Sequence, residues 1–71
     1  MKVTSSQAEK ILKSDNKFSQ LGFALLVSRL RNAYSKDKSP TTVQHAVQEI
    51  NKFLEKFTNI MAADFAVIQK L

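Results

Sequence analysis

The sequence contains no cysteine, and only one glycine and one proline among 71 residues. Without cysteine there can be no disulfide and no thiolate metal site. A single glycine and a single proline leave little material for the tight turns that a β-protein of this size requires, so the class expected is all-α. The longest uninterrupted apolar run, LGFALLV at residues 21–27, is far short of the roughly 20 residues that span a bilayer. The opening MKVTSSQAEK has no apolar stretch of the signal-peptide kind. One domain over residues 1–71, with no transmembrane segment and a cytoplasmic location, is the expectation.

What is present fits a folded helical domain. The chain is 44% hydrophobic and 24% charged, too apolar for a disordered tail. Eleven basic against six acidic residues give a net charge of +5, which favours anionic partners in a general way. Ser6, Gln7, Ala8 and Glu9 form an S-x-x-E capping box, which opens a first helix carrying Ala8, Ile11 and Leu12 inward. Glu9 and Lys13 are spaced to support it, and Ser14, Asp15 and Asn16 end it. A second helix is expected from about Lys17 to Tyr34 or Ser35. It has two apolar stripes, Phe18, Leu21 and Leu25 beside Gly22, and Phe23, Leu26, Leu30, Ala33 and Tyr34. A helix apolar over so much of its circumference is covered on more than one side. Gly22 costs about 1 kcal/mol against alanine in a helix interior and marks a close neighbour.

Residues 35–40, SKDKSP, form the inter-helix loop, with Ser39 as N-cap and Pro40 at the first helical position. The stripe Val43, Ala46, Val47, Ile50, Phe53, Leu54, Phe57, Ile60, Met61, Phe65 and Ile68 follows without a breaker. It predicts one helix of about 30 residues, roughly 45 Å long, with a kink near Thr58–Asn59 as the alternative. The architecture expected is a short N-terminal helix plus a long antiparallel helical hairpin, a three-helix, bundle-like fold. The first helix is expected to fold over the far end of the third, near Ala62, Ala63 and Ala66. Because Ile11 and Leu12 offer that end little cover, Met61, Ala62, Ala63, Phe65, Ala66, Ile68 and Leu71 form a candidate association surface, and a homodimer is expected.

Chemistry-bearing residues are sparse. His45 and Glu49 share a helix face at i,i+4, but two ligands make no metal site and no nucleophile stands beside the histidine. Asp64 lies among apolar residues, where an ionised carboxylate needs a partner; pairing with Lys10 or Lys13, or marking a local helix start at a kink, is expected, with partner recognition or pH sensing as the functional alternative. Arg29, Arg31, Lys36 and Lys38 cluster around the end of the second helix as a candidate anion-binding patch. The same cations would also complement a helix C-terminus. No catalytic, metal or cofactor motif is present, so no cofactor and no enzymatic activity is expected.

Residues 33–46, AYSKDKSPTTVQHA, are similar to the turn and recognition-helix start of helix-turn-helix DNA-binding proteins. The resemblance rests on Ala33, on Ser39, Pro40, Thr41, Thr42 and Val43, and on Ala46. It implies that Pro40, Thr41, Gln44 and His45 face the major groove. Asp37, Lys38 and Asn32 depart from the pattern. The overall build, a small basic antiparallel bundle, also resembles that of bacteriocin-immunity proteins, with no motif to carry across. The function expected is a small non-enzymatic protein–protein interaction module, self-associating through its long C-terminal helix, with DNA binding or an immunity-like bundle as the alternative.

Overall fold

A computed structural model describes residues 2–56 and 62–71. Among them are four helices and no strand: α1 Ser5–Lys13, α2 Leu21–Lys36, α3 Pro40–Lys56 and α4 Ala62–Lys70. The all-α class and the antiparallel hairpin of α2 and α3 are as the composition and stripe spacing predict.

The capping box of α1 sits two residues earlier than Ser6–Glu9. Thr4 is the N-cap: its hydroxyl accepts from the Gln7 N–H, and the Gln7 side chain accepts from the Thr4 N–H at 2.9 Å. This start puts Val3 and Ala8 at the two positions of a hydrophobic staple, and both are buried. Ser6 at the cap would have left Val3 outside the helix entry. Glu9, freed from capping, pairs with Lys13 at 3.8 Å across exposed surface, worth a few tenths of a kcal/mol.

The second helix starts four residues later than expected. Phe18 leaves the helical path, buries itself and meets the Phe23 ring edge-on at 4.9 Å. Gln20 becomes the N-cap, its Oε1 accepting from the Gly22 N–H at 2.7 Å. Phe23, Leu26, Val27, Leu30 and Tyr34 form the buried stripe, while Ala33 is exposed. The other expected stripe is not covered: Leu21 is 73% exposed and Leu25 59%. The turn into α3 is as the sequence predicts. Ser39 accepts from the Thr42 N–H through its carbonyl at 3.1 Å, and Pro40 opens the helix.

The single long C-terminal helix is corrected. The described residues give α3, Pro40–Lys56, and α4, Ala62–Lys70, and the kink expected at Thr58–Asn59 lies outside them. An unbroken rod from Pro40 to Lys70 would measure roughly 45 Å, longer than the molecule's greatest extent of 31 Å. The position of α1 is corrected too. It packs between α2 and α3, forming a three-helix bundle with them, instead of lying over Ala62–Ala66. The far end is covered by α4 itself, which sends Ile68 and Asp64 inward, each 2% exposed. The largest fully buried side chains are Phe23, Ile11, Ile50, Leu54, Ile68 and Val27, each contributing about 1.5–3 kcal/mol.

Candidate interaction surface

Polar side chains close the molecule on the α1 side of α3. Asn51 clasps the N-terminal arm, accepting from the Val3 N–H at 2.6 Å and donating to the Val3 carbonyl at 3.2 Å. One helical face along, the Gln44 amide donates to the Ser5 hydroxyl at 2.9 Å. Both residues belong to the polar face of α3; their shared orientation, i and i+7, was the only sequence signal that they act together.

Arg31 performs the same task from α2. Its guanidinium donates to the Ile11 carbonyl at 2.9 Å, the Asn16 carbonyl at 3.0 Å and the Ser14 hydroxyl at 3.2 Å, and lies 6.0 Å over the Phe18 ring. One arginine thereby satisfies the C-terminal end of α1 and fixes the path of the connection to α2. Burial lowers its pKa from the ordinary guanidinium value, with nearby Asp15 working in the opposite sense.

Asp64 fastens α4. Its carboxylate accepts from the Ser19 N–H at 2.7 Å, the Ser19 hydroxyl at 2.7 Å and the Gln20 N–H at 3.0 Å. These are orphan donors at the start of α2, so a residue from one helix completes the N-terminus of another. The expected pairing with Lys10 or Lys13 gives way to this arrangement, in which hydrogen bonds alone stabilise the buried charge. Burial by itself would raise the carboxyl pKa; the Ser19 hydroxyl and the Gln20 and Ser19 backbone donors outweigh it and hold the value below the usual carboxylate range.

The four expected anion-binding residues do not share one surface. Arg31 turns toward α1, while Arg29 borders a groove on the other side of α2. Lys36 is exposed in the last turn of α2. Lys38 lies 5.2 Å over the Tyr34 ring and rims a cleft with Ser5, Ser6, Glu9, Pro40, Val43 and Gln44. Next to it, Asp37 accepts from the Ser39 N–H at 3.0 Å, which with the Ser39 and Thr42 hydroxyls lowers its pKa. Among the described residues no three His, Cys, Asp or Glu side chains gather into a metal-holding group; His45 is exposed and Glu49 half-buried.

The expected association surface is dispersed as well. Met61 lies outside the described residues, Ile68 is buried in its own chain, Phe65 and Leu71 are partly covered, and Ala63 and Ala66 face water. Ala63 and Ala66 therefore meet no neighbouring backbone among the described residues, and the Ala62 side chain lies outside them.

The surface that sequence reasoning placed elsewhere is the α2–α3 groove. Gly22, Leu26 and Arg29 on successive turns of α2 face Glu49, Lys52, Phe53 and Lys56 of α3, enclosing about 250 Å³. Gly22 lets Phe53 lie close against α2, because a Cβ there would sit 3.3 Å from Phe53 Cζ and 3.2 Å from Gln20 Oε1. The Phe53 ring, tilted against Phe23 at 5.5 Å, forms the floor. Leu21 and Leu25 stand exposed on α2, outside the residues that line the groove. The groove is too small and open to bury an ordinary small-molecule ligand. No protein-family model matches this chain, and no curated protein or solved structure matches it significantly. No helix among the described residues is long and apolar enough to cross a membrane.

Proposed function

We propose that the protein is a small, non-enzymatic protein–protein interaction module that works through the α2–α3 face. One observation carries the reading: Leu21 and Leu25, at i,i+4, are 73% and 59% exposed on the same helix whose Gly22, Leu26 and Arg29 line the groove. Single leucines on a surface are ordinary. Two at i,i+4 on one helix, flanking the exposed Gly22, form an apolar strip of the kind a partner covers. The rest of the molecule supports the same reading by contrast, since its arginine, amide and carboxylate groups are engaged in closing the fold.

Self-association through the C-terminal helix has less support, because Ile68 turns into its own core and Phe65 and Leu71 are already partly covered within the chain. Affinity capture from the cells that make the protein tests the proposal, with the native chain compared against the Leu21→Ser/Leu25→Ser double variant. A partner retained by the first and lost by the second, at unchanged thermal stability, is the expected result. The same proteins retained by both would remove the α2–α3 face from consideration.

A further inference from the structure

The charges around the groove specify more than its apolar floor does. Arg29 stands on the α2 rim, and Lys52 and Lys56 stand one turn apart on the α3 rim, against the single acid Glu49. Two antiparallel helices with a shallow apolar trough between them accept a third helix laid along it, anchored by residues at i, i+3 or i+4, and i+7. Gly22 lowers the trough wall where such an anchor would meet the Phe53 ring. We infer that the α2–α3 groove receives an amphipathic helix of another protein, its apolar stripe on Gly22, Leu26 and Phe53 and its flanks acidic against Arg29, Lys52 and Lys56. This inference rests on the interaction reading above and names the partner's chemistry.

A second copy of the chain fits poorly. Two-fold docking of the same face would bring two sets of Arg29, Lys52 and Lys56 together on molecules that each carry a net charge of +5. An anionic membrane shares the charge preference. It would meet the outward Leu21 and Leu25 but leave the recessed Phe53 ring uncovered, whereas a helix laid in the groove covers that ring.

The test titrates the isotope-labelled full chain with two designed peptides. Both carry the same helical leucine stripe, one flanked by glutamates and the other by lysines. The glutamate peptide is expected to shift the backbone amides of Gly22, Leu26, Arg29, Phe53 and Lys56, with affinity that falls as salt rises. The Lys52→Glu/Lys56→Glu variant should weaken it roughly tenfold or more and favour the lysine peptide instead. Shifts confined to the cleft near Ser5 and Gln44, or no shift at millimolar peptide, would overturn the inference. Equal binding of both peptides in the groove would overturn the acidic preference and leave the interaction reading standing. A concentration-dependent dimer that perturbs Leu26 would give the groove to a second copy. Partition of the chain onto anionic vesicles, abolished by Leu25→Ser, would give it to a lipid surface. Either of these results also refutes the inference.

Discussion

The two flanks of α3 carry different polar residue types and put them to opposite uses. On the α1 flank, Asn51 and Gln44 hold the N-terminal arm and the start of α1 by three hydrogen bonds, and Val43, Ala46 and Ile50 are sealed beneath. On the α2 flank, Lys52 and Lys56 border an open groove, and the neighbouring edge of α2 carries Leu21 and Leu25 into solvent. The difference is a division of labour. Short amides and hydroxyls bond within the chain because they reach backbone groups at little entropic cost. Long cations carry more rotamer entropy to lose on immobilisation and stay extended toward water. A fold of this size has only a few kcal/mol to spare, so exposed leucines on one flank have to be offset by tight closure on the other.

The contrast breaks most visibly at Asp64. Asp64→Asn places an amide N–H₂ among three donors and is expected to cost about 2–3 kcal/mol in urea denaturation, with α4 losing amide protection before the three-helix bundle does. The acid limb of the stability curve carries the same signature. Because the folded carboxyl titrates below its unfolded value of about 4, its contribution is complete above that pH. It is lost as pH falls through the lower folded value. Asp64→Asn flattens that limb.

Arg31→Met comes next, at about 1–2 kcal/mol, since it frees the Ile11 and Asn16 carbonyls together. Its readout is calorimetric Tm. Asn51→Ala is smaller, about 1 kcal/mol, and its distinguishing mark is rapid amide exchange at Val3. Smallest of all is the open flank: Leu21→Ser and Leu25→Ser each change stability by less than about 0.5 kcal/mol. A loss beyond 1 kcal/mol at either leucine would mean that the strip is part of the core and the contrast is false.

Much of the scaffold was legible from spacing. The α3 stripe, the Ser39–Pro40 start and the close neighbour at Gly22 all follow from local pattern, because helix periodicity and capping are set by residues within one or two turns. What escaped was set by distant partners. Asp64 bonds residues 44 and 45 positions away, and Arg31 bonds a helix end 20 positions away; neither distance leaves a mark on the sequence. Phe18 was misread for a related reason. Its spacing to Leu21 and Leu25 is helical, yet burial against Phe23 outweighs helix continuation. The basic cluster was contiguous in sequence but not in space, since Arg29 and Arg31 point to opposite sides of α2.

A photo-crosslinking amino acid placed in turn at Leu25 and at Ala63, in the cells that make the protein, tests the division between working and closing surfaces most directly. The account predicts a discrete covalent adduct with a partner from position 25 and none from position 63. Adducts of equal yield at both positions, or at position 63 alone, would contradict it and return the contact surface to α4.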